Sequence, residues 1–440
     1  MTKLARVLCM VAVACGGGDS SASNPDAAKI VDASLAVADA AVGGLPGAAT
    51  VTTLAAYPFQ TEGLTADGNG NFYTAARAAG VNTPCPVWRT QLSAPTPVIV
   101  GYIPTPSSTT QCTTAGLALS SAGDLFVAAT INAPPTVSGW VYKLTPDDAT
   151  PPTATVFASD VPLANGIAFD HAGNLWVSDG QLAMGRIWKI PPTGGSGSDP
   201  GAEQFRVQPL RNSVALVGAT LFPGGSIPDD GIGRQIRSFG PGTVMNNLIS
   251  GGDGIVANGI AFDAAGDLWI ADTARGALWR VQFKSDGGLK SPVGCDTTFA
   301  PNTLCLSNVF VAHPLLEGVD GIALDNAGNV WGVANARQAV VVVARDRTVT
   351  EVFRNPVNGT TGLRNAGDQS VGNSHVLEFP ASPFLLGARF CTSCFDSAAP
   401  GTRDDAPNNV GELDPAGTVR GKISCIDQDL AVPGLPLPVH

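Results

Sequence analysis

Asn165-Gly-Ile-Ala-Phe-Asp-His-Ala-Gly-Asn-Leu-Trp-Val-Ser-Asp179 decides how the rest of this chain is read, because it recurs. The same pattern returns as Asn258-Gly-Ile-Ala-Phe-Asp-Ala-Ala-Gly-Asp-Leu-Trp-Ile-Ala-Asp272 and as Asp320-Gly-Ile-Ala-Leu-Asp-Asn-Ala-Gly-Asn-Val-Trp-Gly-Val-Ala334. Weaker copies run Glu62-Gly-Leu-Thr-Ala-Asp-Gly-Asn-Gly-Asn-Phe-Tyr73 and Ala115-Gly-Leu-Ala-Leu-Ser-Ser-Ala-Gly-Asp-Leu-Phe126. A sixth, degenerate copy is placed at His375-Val-Leu-Glu-Phe379. Each copy is a short apolar strand, a turn ending in Gly-Asn or Gly-Asp, and a returning strand. The glycine supplies the positive φ of a tight hairpin.

Two further apolar segments follow most copies, as in Gly185–Ile190 and Val349–Phe353. Four antiparallel strands per unit of roughly 50 residues is the sequence signature of a propeller blade. A sandwich would not repeat one motif, and a β-helix has shorter rungs. The expected fold is therefore all-β: a six-bladed β-propeller of four-stranded antiparallel blades. Val51–Ala56 has no hairpin partner beside it and is expected to complete the last blade, since an open ring would leave two unpaired edges. Copies three and four are unusually far apart. The Gly- and Pro-rich stretch 193–254 between them reads as an elaborated loop region rather than a seventh blade.

Composition agrees with this. Gly (52) and Pro (34) are abundant and charged residues are 14 % of the chain, against a usual ~25 %, which excludes coiled coils and helical bundles. A net charge of −11 with no Lys/Arg cluster excludes a phosphate-tracking nucleic-acid binder. It suits a divalent cation or a neutral small molecule.

The chain divides into residues 1–14, 15–48 and 49–440. Lys3 and Arg6 precede the apolar run Val7–Ala14, which reads as a secretory signal too short to span a bilayer. Val11-Ala12-Val13-Ala14-Cys15 resembles a bacterial lipobox, which implies cleavage before Cys15 and a lipid on its sulfur; ordinary signal-peptidase cleavage is the alternative. The Gly/Ala/Ser/Asp-rich stretch to residue 48 reads as a flexible tether. The expectation is an exported monomer, lipid-anchored in the cell envelope, that touches the membrane only through Cys15.

Export implies an oxidising compartment. Cys85 with Cys112 could tie the first two blades, and Cys295 with Cys305 could staple a loop in the fourth. Cys425 is expected to pair with Cys391 or Cys394, leaving one thiol free. A zinc or redox role for Cys391-Thr-Ser-Cys394 lacks a second Cys pair or a His pair.

The residue before each Gly varies: Glu62, Ala115, Asn165, Asn258, Asp320 and, in the sixth copy, Ser374 or His375. In a propeller the first strand of each blade lines the axial channel, so these positions converge near its mouth. Glu62, Asn165, Asn258 and Asp320 offer side-chain oxygens only, the ligand set of Ca²⁺ or another hard divalent cation. Asn or Asp before Gly is also ordinary turn chemistry, but Glu62 has no such explanation. His375 is a candidate proton shuttle. His171 and His313 receive no role, and Trp176, Trp269 and Trp331 read as packing between blades.

Over about residues 50 to 438 the chain resembles the senescence-marker/gluconolactonase/strictosidine-synthase-like propellers, which include diisopropylfluorophosphatase and paraoxonase-like lactonases. Glu62-Gly, Asn165-Gly-Ile-Ala, Asn258-Gly-Ile-Ala and Asp320-Gly-Ile-Ala-Leu-Asp carry the likeness, with Gly421-Lys-Ile-Ser-Cys and Pro433-Gly-Leu-Pro-Leu-Pro438 at the tail. The resemblance implies that the matching Glu, Asn and Asp hold a catalytic calcium or similar ion, with Asp320 as base or nucleophile. Gluconolactonase-type members tend to carry Arg two residues before the third-blade Asn. Here it is Leu163, so an apolar lactone or ester is expected rather than a sugar acid. Two other readings stand: a tethered binding module with a structural calcium, and an enzyme resembling virginiamycin B lyase.

Overall fold

The fold is taken from a computed structural model. It describes residues 49–199, 203–206, 257–290, 304, 308–355, 376–395 and 421–439, less 79, 106–108, 134–135, 181–184, 274–275, 317, 336–337 and 438. The leader, Cys15, the tether, most of the 193–254 stretch, Cys295, Cys305 and His375 lie outside these residues.

Six small antiparallel sheets stand in a ring. In chain order the first strands are Thr61–Ala66, Thr113–Leu119, Ala164–Phe169, Ile260–Phe262, Val319–Leu324 and Pro380–Leu386. Each packs against the first strand of the next blade, and the sixth packs against the first. The second strands are Asn71–Ala76, Leu125–Ala133, Leu175–Asp179, Leu268–Asp272, Val330–Ala334 and Arg389–Cys394. The 193–254 stretch is not all loop: Glu203–Arg206 pairs with Arg186–Ile190 as the outer strand of blade three. In blade six the outermost strand is Val51–Ala56, paired antiparallel with Lys422–Ile426, so the chain's first described strand closes the ring. No α-helix occurs among the described residues; Pro314–Leu316 is a single 3₁₀ turn.

Core residues sit between blades rather than within them. Trp176 faces blade four, with Ile260, Ile270 and Trp279. Its chain neighbours Leu175 and Val177 face blade two, with Phe126 and Val141. Alternation along a strand sends successive side chains to opposite faces, so a middle strand covered on both sides is apolar throughout. A similar apolar layer fills each of the six blade-to-blade interfaces, including that between blades six and one.

The repeated hairpin has a chemical reason beyond its glycine. Asp170 Oδ1 accepts hydrogen bonds from the Ala172 and Asn174 amides, both at 2.9 Å. Its Oδ2 accepts Asn174 Nδ2 at 2.8 Å and Trp176 Nε1 at 2.9 Å. Asp325 repeats all four bonds, with Trp331 as the indole donor. Asp263 binds Trp269, and Asp67 binds the Tyr73 hydroxyl. The Asp, the Asn or Asp after Gly, and the Trp of the motif are thus one hydrogen-bonded unit. Burial opposes ionisation of Asp170, but its four hydrogen bonds together hold the carboxyl below its ordinary pKa.

The predicted Cys85–Cys112 bridge is present, and Cys425 pairs with Cys391. Cys394 is the buried free thiol. Residues three apart on a strand point to opposite faces; Cys391 lies in the layer toward blade one and Cys394 in the layer toward blade five.

Candidate functional site

The first two strands of blades one, two, three, five and six all slip by one residue at the same place, between Thr61/Leu64, Thr114/Leu117, Ala164/Ile167, Val319/Ile322 and Pro380/Pro383. Each slip is a β-bulge, which bends the strand and re-aims a side chain. The bulged pairs are Glu62-Gly63, Ala115-Gly116, Asn165-Gly166, Asp320-Gly321 and Ala381-Ser382. Asn258-Gly259 occupies the same place ahead of Ile260 in blade four, with the Asn258 amide bonded to the Ala271 carbonyl.

Glycine is required at the second position by close approach. A Cβ on Gly259 would stand 2.6 Å from the Asp320 carbonyl oxygen and 2.5 Å from the Gly321 Cα. Gly63, Gly116, Gly166 and Gly321 press in the same way on the carbonyls of Ala115, Asn165, Asn258 and Ala381. The backbone carbonyl of every residue in the ring is thus held by the preceding blade. In blade six, Ser382 replaces Gly, and the Ser393 hydroxyl carries the link: it accepts the Ser382 amide at 3.1 Å and donates to the Glu62 carbonyl. This register puts the sixth position at Ala381, six residues beyond His375, and corrects the placing of that copy. The proton-shuttle role assigned to His375 falls outside the described residues.

Of the four expected oxygen donors, Asp320 and Asn258 are in contact, and Glu62 acts on Asp320 through its charge. Asp320 is buried and hydrogen-bonded to Asn258. Asn335 Nδ2 donates to its Oδ2 at 3.2 Å. Asn165 occupies the equivalent bulge in blade three, with its amide packed against Gly180.

In blades one, three, four and five a second tier lies fifteen residues after the first, just past the second strand: Arg77, Gly180, Thr273 and Asn335. The hairpin has constant length, so this offset brings each partner beside its bulge. Thr273 gives its one hydroxyl proton to the Val319 carbonyl at 2.7 Å, so its oxygen must accept from Asn258 Nδ2, 3.0 Å away. That fixes the orientation of the Asn258 amide and leaves its Oδ1 on the opposite side. Arg77 faces Glu62 electrostatically, with Nη1 bonded to Gln60 Oε1 at 2.9 Å. Reading the repeat only up to its second strand misses this tier; the constant fifteen-residue spacing is the signal that finds it.

Burial pushes the Glu62 carboxyl up to about 7 against the pull of Arg77. Burial, then the charge of Glu62, raises Asp320 well above its ordinary value, opposed by the Asn335 and Asn258 bonds. Among the described residues none donates a hydrogen bond to the Glu62 carboxylate, and no three His, Cys, Asp or Glu side chains form a cluster. Two carboxylates raised by burial, the charge of Glu62 acting on Asp320, with amides beside them, fit a hard divalent cation, whose charge would offset that repulsion.

Residues 245–369 match the family model described as the SMP-30/gluconolactonase/LRE-like region. That stretch holds Asn258 and Asp320. No curated protein matches the chain in sequence. A luciferin-regenerating enzyme structure aligns over 89 % of this chain and 98 % of its own, with TM-score 0.50 and 11 % identity. At that identity the likeness is one of fold alone. A calcium-binding protein, regucalcin, from Agrobacterium tumefaciens strain C58 aligns over 88 % and 97 %, with TM-score 0.48 and 14 % identity. Virginiamycin B lyase from Staphylococcus aureus aligns over 78 % and 80 %, with TM-score 0.37 and 13 % identity.

Proposed function

We propose that the chain hydrolyses lactones or related esters at the ring axis, with a divalent cation, calcium in the first instance, held by Glu62, Asn165, Asn258 and Asp320. The observation that carries the reading is the charge of Glu62, in blade one, acting on the buried Asp320 of blade five beside an amide whose orientation is fixed. When bound, the cation would polarise the scissile carbonyl and favour the developing oxyanion. Asp320 takes the proton of the attacking water. Asn335 holds its carboxyl in place. Thr273 keeps the Asn258 amide from flipping. The matched family model is named in part for gluconolactonase, which supports a lactone as substrate. Export through residues 1–14 and anchoring at Cys15 belong to the same proposal and would place the ring at a membrane surface.

The test is a panel of γ- and δ-lactones and aryl esters, assayed with calcium and with chelator. Calcium-dependent turnover of at least one member is expected. Asp320→Asn should lower it on the order of 10²–10⁴-fold while the circular dichroism spectrum persists. Calcium bound with every panel member untouched would overturn the hydrolase reading and leave a binding module.

A further inference from the structure

We infer that Arg77 makes the mouth of this site a subsite for a monocarboxylate, the hydroxy acid that opening a lactone releases. The inference rests on the hydrolase reading above and deepens it by naming the ligand class. The guanidinium is enclosed beside the ring without being committed to it. Nη1 is bonded to Gln60, whose backbone carbonyl also accepts the Arg77 amide at 2.8 Å, so the side chain is anchored at both ends. Nε is buried and has no hydrogen-bond partner. A buried N–H of a charged group without an acceptor is destabilising, so the protein gains nothing from it unless something else supplies the acceptor. Glu62 acts on Arg77 only by charge.

The net charge selects the acceptor. A divalent cation cancels the two carboxylates of Glu62 and Asp320, which leaves the single positive charge of Arg77 as the charge of the loaded site. That complements a monoanion; a phosphate dianion would overcompensate it and face two acids. With Nη1 turned to Gln60 and Nε without an acceptor, one oxygen of a carboxylate would take the Nε proton, and the guanidinium plane suits the second oxygen on the same side. The expectation of an apolar lactone or ester, drawn from Leu163, is compatible with this, because the carboxylate appears only when the ring opens. The acid end is read from blade one, at the fifteen-residue offset from Glu62.

The test is isothermal titration of the full, calcium-saturated chain with 4-hydroxybutanoate at constant ionic strength, with 1,4-butanediol as the uncharged control. Saturating each variant with calcium first keeps a changed cation affinity out of the comparison. The wild type should bind the carboxylate and not the diol. Arg77→Lys, which keeps the charge and lacks the planar edge, should weaken binding at least tenfold, and Arg77→Gln should abolish it. Carboxylate affinity equal in wild type and Arg77→Lys, or no carboxylate binding by the wild type, would overturn the inference. Should Arg77→Gln not fold, the lysine variant decides alone. Arg77-dependent binding without lactone turnover would sink the hydrolase reading and keep the subsite. Turnover with binding indifferent to residue 77 would do the reverse.

Discussion

Removing the cation should make this protein less stable as the pH rises from 5 to 8, a trend opposite to acid denaturation. The Glu62 carboxyl has an ordinary pKa of 4.5 and one of about 7 in the folded chain. A folded pKa above the unfolded one means that the folded state binds the extra proton. Stability from this group is therefore complete below about 4.5 and falls as the pH climbs through about 7. Each pKa unit is worth about 1.4 kcal/mol, so the ceiling is about 3 kcal/mol. Glu62 keeps partial solvent contact, which discounts this to about 2 kcal/mol. Asp320 is shifted in the same direction and adds to it. At about 2.1 cal/mol/K of unfolding entropy per residue, a ring of nearly 400 residues moves its Tm by roughly 1 °C per kcal/mol, so a fall of about 2–4 °C is expected. Asp170 is shifted the other way and titrates below this window. Calorimetry in chelator and in calcium, at half-unit steps of pH, measures it. Calcium should raise Tm more at pH 8 than at pH 5, because above about pH 7 it meets an ionised Glu62 rather than a neutral one. Asp320→Asn should raise the chelated Tm at pH 8 and remove most of the calcium response. A chelated Tm that is level or rising between pH 5 and 7.5 would refute the reasoning, as would equal calcium shifts at both ends.

Three further pairs of substitutions test the scaffold. Asp325→Ala removes the acceptor of four hydrogen bonds, one from the fully buried Trp331 indole, and should cost about 3 kcal/mol by denaturant titration; Ser120→Ala, whose hydroxyl accepts only two backbone amides, should cost under about 1 kcal/mol. Gly259→Ala drives a Cβ onto the Asp320 carbonyl and should prevent folding or cost more than about 3 kcal/mol, whereas Gly287→Ala, with nothing within 4 Å and φ +81°, should cost about 1 kcal/mol from backbone strain alone. Lys422→Met leaves Glu378, its buried partner at 2.8 Å, without its ion pair and should cost about 3–5 kcal/mol; adding Glu378→Leu should recover most of the loss in the same assay.

Blades three, four and five were legible because each keeps the complete hydrogen-bonded unit of Asp, Gly, Asn or Asp, and Trp, so one pattern encodes turn, strand and packing together. Blade six was not, because it lacks the Gly and the Trp that mark the motif, although its hydroxyl link has a counterpart at Ser178 in blade three. Ser382 stands where Gly does elsewhere, Ser393 supplies the link to blade one, and no Trp follows. His375-Val-Leu-Glu-Phe379 imitates the alternation of a first strand but only leads into it. Glu62, Asn165, Asn258 and Asp320 could be picked out because the bulge makes their position periodic. Arg77, Thr273 and Asn335 sit at a position just as periodic, but each is a different residue type, so no shared identity marks the tier. The choice between Cys391 and Cys394 needed the phase of a strand, which the hairpin register supplies and cysteine spacing does not.

The bulge explains why site and scaffold can vary independently in this ring. At each first position the contact with the neighbouring blade is made by the backbone carbonyl, so closure does not depend on which side chain stands there. Ala115 and Ala381 make the point: the ring closes on their carbonyls as it does on those of Asn165 and Asp320, although they have nothing to offer a cation. Closure therefore constrains the second residue of each pair to Gly, or to a Ser with a partner across the hairpin, and leaves the first residue free. The four oxygen-bearing residues at first positions are consequently not demanded by the fold. Turn chemistry, the ordinary account of Asn or Asp before Gly, would predict such residues in all six blades. Alanines in the two blades that flank Glu62, with acids or amides in the other four, are what a cation site with room for a ligand beside it would require.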